Sequence, residues 1–160
     1  SLFVFLFAMG FADGPWGVVP GGSFAETSQS APADWSFAKE LDTVEFQLEE
    51  PVSSRTSWIM EHDNRIFIPS GYMNSTVGKI WKHWPMHAEK NGNALLRIDG
   101  QVFEVRMQRT KEADVLTPIL SELARKYMGA VPPIDDEVLA GMHQQVSSNN
   151  LWVFELVGRS

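Results

Sequence analysis

Apolar and polar residues alternate cleanly in Thr43-Val-Glu-Phe-Gln-Leu-Glu49, with Val44, Phe46 and Leu48 on one face and Thr43, Glu45, Gln47 and Glu49 on the other. This period of two predicts an antiparallel strand with one face in a core and one in water. The same reasoning predicts strands at 57–61, 65–69, 94–99, 101–109 and 151–157. Two tight turns join them in pairs. Asp63-Asn64 closes a hairpin running from Ser57 to Ile68, and Asp99-Gly100 closes one running from Ala94 to Arg106. Such pairs suit type I′ turns, whose two central residues both need positive φ. Between the hairpins lies a loop of small polar residues, Pro69 to Gly78, and a short helix is expected to start near Lys79, carrying Trp81 and Trp84.

The pattern then changes period. Val115, Leu116, Ile119, Leu120, Leu123, Ala124 and Tyr127 fall at helical spacing within Lys111–Met128. Pro118 interrupts that span, so either the first turn is separate or the helix begins near Thr117 with Pro118 in its first turn. Gly129 is a natural stop, and a short helix is expected from Asp135 to Gln145. About six strands of alternating pattern and two or three helices predict a mainly β domain, a small antiparallel barrel with helices packed on it.

The chain divides into three stretches. Residues 34–160 carry the barrel, 13–33 form a Gly- and Pro-rich connection, and Leu2–Ala12 is continuously apolar. The last is shorter than the roughly 20 residues of a membrane-spanning helix. It reads as the end of a hydrophobic anchor continuing before Ser1, placing the protein at a membrane through one N-terminal segment. The alternatives are a buried strand or core helix in a soluble protein, and, less favoured, a cleaved signal peptide.

Composition narrows the chemistry. With 160 residues a single domain can bury a real core. A net charge of −7 argues against nucleic acid as a partner, because phosphate backbones are bound by cationic surfaces. The absence of cysteine removes disulfides, thiolate catalysis and thiolate metal sites. Neither a Walker loop nor a Gly-x-Gly-x-x-Gly follows a strand, and no Gly-x-Ser-x-Gly elbow occurs. His83 and His87 are four apart, but Pro85 lies between them, so they read as surface residues, as do His62 and His143. Asp42, Glu45, Glu49 and Glu50 read as an acidic outer strand face. Arg55, Thr56, Ser57, Ser70, Ser75, Thr76 and Lys79 could form an anion cradle of short donors and cations. The competing reading is a solvated loop followed by a helix capped by Ser75 or Thr76.

The order of elements, with Thr56-Ser57-Trp58, Ile66-Phe-Ile-Pro-Ser70, Val77-Gly-Lys-Ile-Trp-Lys82 and Asn91 to Glu104, resembles the split β-barrel superfamily of pyridoxamine-phosphate oxidase and the deazaflavin-dependent nitroreductases. The resemblance covers about Asp34 to Arg109 and extends more loosely to Met128. Gly14-Pro-Trp-Gly17, Pro20-Gly-Gly22 and Asp34-Trp-Ser-Phe37 look like a subgroup in which the barrel follows a single membrane helix. The resemblance implies a split barrel binding FMN or a deazaflavin, an oxidoreductase and a homodimer. It implies that Ser57, Ser70, Lys79 and Lys82 contact phosphate or ribityl oxygens, and that Trp58 and Trp81 lie against the ring. The Arg-x-x-Ser/Thr of such families is approximated by Arg55 with Thr56 and Ser57, and Thr76 joins the same cofactor site. The alternative is a cofactor-free barrel that binds a small apolar ligand or dimerises.

Overall fold

The computed structural model describes residues 21–49, 52–71 and 84–159. Strands β1 (Gln29–Ser30), β2 (Val44–Glu49), β3 (Val52–Ser57), β4 (Met60–His62) and β5 (Arg65–Ser70) precede helix α1 (Trp84–Lys90). Then come β6 (Asn93–Ile98), β7 (Gln101–Arg109), α2 (Ala113–Tyr127), α3 (Asp136–Ser147) and β8 (Trp152–Gly158). The sheet order is β3-β2-β6-β7-β8-β5-β4, antiparallel throughout, with β1 added parallel to β7. β3 and β4 stand at opposite ends of that order, yet only Trp58 and Ile59 separate them in the chain. Three residue steps reach roughly 10 Å, so the seven-strand sheet must curl until its edges approach. It is an antiparallel half-barrel.

Two turns set the register as expected. Asp63 and Asn64 take φ of 54° and 64°, and Asp99 and Gly100 take 51° and 75°. β2, β5, β6, β7 and β8 lie within a residue or so of the predicted strands. The predicted strand at 57–61 is corrected. The chain forms β3 over Val52–Ser57, leaves the ladder at Trp58-Ile59, and re-enters as β4 at Met60. β3 escaped the pattern because Val52-Ser-Ser-Arg-Thr-Ser57 has no apolar alternation, which an edge strand does not need. The long helix is one element from Ala113, not a separate turn or a start at Thr117. Pro118 lies inside it, and the Thr117 hydroxyl donates to the Ala113 carbonyl at 3.0 Å rather than capping. In α3 the Asp135 side chain caps by accepting from the Glu137 amide at 2.8 Å.

The curled sheet buries both faces. Inside, Val44, Phe46, Leu48, Ile66, Ile68, Leu96, Phe103, Val105, Met107, Phe154 and Leu156 form one core. α1 closes it by setting Trp84 between Phe46 and Phe154, at ring distances of 4.8 and 5.5 Å. Outside, Leu116, Ile119, Leu120, Leu123 and Ala124 of α2 and Met142 and Val146 of α3 pack on Met60, Phe67 and Val153. Full burial of each large apolar side chain is worth about 1.5–3 kcal/mol, so this stripe, more than helix propensity, holds α2 in place. Residues 21–31 cross the remaining outer face as a strap. Gly21 and Ser54 exchange both backbone hydrogen bonds, at 3.0 and 2.8 Å. Farther along, the Phe24 amide donates to the Gln47 side chain, Arg97 joins Glu26, and Ser28 donates to Glu104.

Candidate anion site on the edge strand

The register of β3 on β2 sets Ser53 opposite Leu48, Arg55 opposite Phe46 and Ser57 opposite Val44. Paired residues share a face. The inner side of the edge strand is therefore a polar row, Ser-Arg-Ser, beside an apolar one. Strand alternation sends their neighbours the other way. Ser54 lies under the strap, Thr56 is exposed, and Trp58 stacks on Tyr127 of α2 at 4.5 Å with the rings 6° apart. Thus Arg55 and Ser57 face one way, while Thr56 and Trp58 face the other.

Arg55 is half-buried, and its Nη1 donates to the Ser54 carbonyl at 3.1 Å. No carboxylate among the described residues reaches it. Burial alone pulls the guanidinium down to about 10, because desolvation disfavours the charged form. Five other arginines behave differently: Arg65, Arg97, Arg109, Arg125 and Arg159 each meet a glutamate at 2.7–2.9 Å. A desolvated guanidinium offers five N–H donors in a planar fork suited to carboxylate or phosphate. Arg55 uses one on a neutral carbonyl, which leaves a cation with further donors of the kind an anion could accept.

The Ser57 hydroxyl donates to the Trp58 carbonyl at 3.0 Å. Ser70, buried at the end of β5, pairs with Trp152 of β8 on the inner face. Ser75, Thr76, Lys79, Trp81, Lys82 and His83 lie outside the described residues. His62 is exposed; His143, half-buried, faces Thr117 Oγ1 at 2.9 Å. That hydroxyl spends its hydrogen on Ala113, so the His143 Nε2–H is the donor. Glu45 and Glu49, expected to be a plain acidic face, hold Arg97 and Arg159. No group of three metal-ligating side chains occurs among the described residues.

One inner-face cluster went unread in the sequence. Arg109 continues the inward row Phe103, Val105, Met107. Its guanidinium lies 3.5 Å from the Trp152 ring centroid, bound to Glu89 of α1 and to Asn149 at 2.9 and 3.0 Å, with Nε buried and unpartnered. The signal was available: a cation at an apolar-phase position of a strand. Arg55 is the same sign on a strand whose phase the sequence hides.

No protein-family model matches the chain, and no curated protein matches it. Among solved structures, it is similar to the conserved hypothetical protein Rv2991 from Mycobacterium tuberculosis, with a TM-score of 0.55 at 12% identity over 84% of this chain and 87% of that one. The fold is a split β-barrel. That likeness speaks for the fold alone. A weaker one, to a putative pyridoxamine 5′-phosphate oxidase from Listeria innocua, has a TM-score of 0.44 at 8% identity over 74% of this chain and 85% of that one. Among the described residues no helix is long and apolar enough to cross a membrane. Leu2–Ala12, where an anchor was expected, lies outside them.

Proposed function

We propose that this split barrel binds a flavin-type cofactor, FMN or a deazaflavin, through its anionic end at Arg55, and acts as an oxidoreductase. The observation that carries the reading is the half-buried Arg55, the one partly buried arginine of the described chain without a glutamate. Such a charge is a standing cost unless an anion meets it. Ser53 and Ser57 share its face; the Ser53 hydroxyl supplies a short donor, the Ser57 hydroxyl would have to turn from the Trp58 carbonyl to supply another, and the Val44-Phe46-Leu48 row gives an apolar wall beside them. Ser70 at the end of β5, and Thr76, Lys79 and Lys82 farther along the chain, belong to the same proposed site as extra donors and cations. Trp81 would lie against the ring. Trp58, committed to Tyr127 on the outer side, does not share the inner face with Arg55. The bound cofactor would carry hydride or electrons, while the protein holds it and shields it from water. A homodimer paired through its sheets and an N-terminal membrane tether complete the proposal.

A second reading, a cofactor-free barrel that binds a small ligand or dimerises, is favoured by the filled interior, where Trp84 occupies the space between Phe46 and Phe154. Absorbance separates the two. Protein purified from a host that makes both cofactors should show a flavin or deazaflavin band, or acquire one on titration. A colourless protein that responds to neither leaves the second reading. Lys79→Ala should weaken FMN binding roughly ten- to a hundred-fold, the worth of one charge-assisted contact. Equal affinity would remove Lys79 from the site.

A further inference from the structure

We propose that Arg55 couples the anion site to the strap: its charge, which meets no carboxylate among the described residues, opposes docking of residues 21–31 until an anion neutralises it. This deepens the reading of Arg55 as the anion anchor and rests on it for the identity of the anion. The geometry lies in one carbonyl. Ser54 O accepts from the Gly21 amide at 3.0 Å and from Arg55 Nη1 at 3.1 Å, and Ser54 N donates back to Gly21 O at 2.8 Å. Strap and guanidinium therefore share an atom. Ser54 is fully buried beneath that pairing, and its hydroxyl has no partner. Setting Gly21 on Ser54 removes water from the neighbourhood of a cation that has no counter-ion among the described residues. With the strap lifted, water returns to the cation.

A charged group that is worse solvated in one of two states shifts the equilibrium toward the other. Arg55 thus biases the strap toward release, while Glu26 on Arg97, Ser28 on Glu104 and the Phe24 amide on Gln47 bias it toward docking. An anion on Arg55 cancels the opposing contribution. Coupling is reciprocal, so a docked strap raises anion affinity by the same factor. A ligand present at a hundred times its Kd and exclusive to the docked state multiplies the docked-to-released ratio by about a hundred.

The test is amide hydrogen exchange at Gly21 and Phe24, whose N–H groups are held only in the docked strap. Four conditions are compared for the full chain: no addition, FMN, riboflavin and high inorganic phosphate. The proteins are wild type and Arg55→Met, which keeps the length of the side chain without its charge. In wild type, FMN and inorganic phosphate should slow both amides at least roughly ten-fold, and riboflavin, which lacks the phosphate, should not. Without any addition, Arg55→Met should already exchange more slowly than wild type, and FMN should add nothing to it. Unliganded Arg55→Met exchanging as fast as wild type, or faster, would overturn the coupling, as would equal protection by riboflavin. If FMN fails to bind wild type, the flavin reading falls, and the comparison of the two unliganded proteins still decides the coupling.

Discussion

A polar side chain taken out of water must find a partner or carry the cost of desolvation, and the half-buried residues of this chain show both outcomes. Tyr127 is satisfied: its hydroxyl accepts from the Ile59 amide at 2.9 Å and donates to the Asp42 carbonyl at 2.7 Å. Lys126 beside it donates to the carbonyls of Leu41 and Ile59 at 2.6 and 2.7 Å, and burial holds its pKa below the ordinary lysine value. Together they tie the end of α2 to the β3–β4 link, where the sheet edges approach. Tyr127→Phe leaves the Ile59 amide without its acceptor and should cost about 1–3 kcal/mol. Urea unfolding should show a lower midpoint at unchanged slope; an unchanged midpoint would mean that the hydroxyl does not hold the link. Arg55 is the contrasting case, met by one neutral carbonyl only, and burial pushes it down to about 10.

At the scale of elements, backbone constraints decide which substitutions the fold accepts. Gly92 accepts from the Met107 amide at 2.7 Å where α1 passes into β6, and a Cβ there would run into the Met107 carbonyl oxygen. Gly92→Ala should therefore lower stability by about 2 kcal/mol or more. Gly141 lies within α3 with nothing near its missing Cβ, so Gly141→Ala should raise stability by roughly 0.8–1 kcal/mol. Thermal unfolding of the two variants checks both signs. The strap should be sensitive to acid. A hydrogen bond from its own backbone amide, with help from Arg97, holds the Glu26 carboxyl below the usual glutamate value against the opposing effect of burial. A depressed carboxyl stabilises the docked state above its unfolded pKa, and that contribution is lost as pH falls through the lower folded value. Exchange protection at Phe24 should fall across that acid window in wild type and lose the Glu26 contribution in Glu26→Gln. Identical acid profiles would exclude Glu26.

Across the whole molecule, the legible features were those fixed locally. Asp63-Asn64 and Asp99-Gly100 announce positive φ, and the apolar phases of β2, β7 and β8 announce which side meets the core. β3 was illegible because its inner face carries Ser53, Arg55 and Ser57, and only pairing with β2 reveals that this polar row faces inward. The joining of Arg109 with Trp152 and Glu89 was illegible for the same reason: it needs three elements brought together by the curl. Of the candidate site, the sequence named Arg55 and Ser57 but grouped them with Thr56 and Trp58, which alternation sends to the opposite side. A net charge of −7 sharpens the point. In a chain with more acids than bases, glutamates occupy Arg65, Arg97, Arg109, Arg125 and Arg159, yet none among the described residues meets Arg55.

The central claim is that Arg55 awaits the anionic end of a flavin-type cofactor, and a fluorescence titration of FMN and riboflavin against wild type and Arg55→Met tests it most directly. FMN should bind wild type more tightly than riboflavin, and Arg55→Met should lose roughly ten- to a hundred-fold of FMN affinity while riboflavin is little changed. Equal FMN affinity in the two proteins, or no FMN binding to wild type, would contradict it.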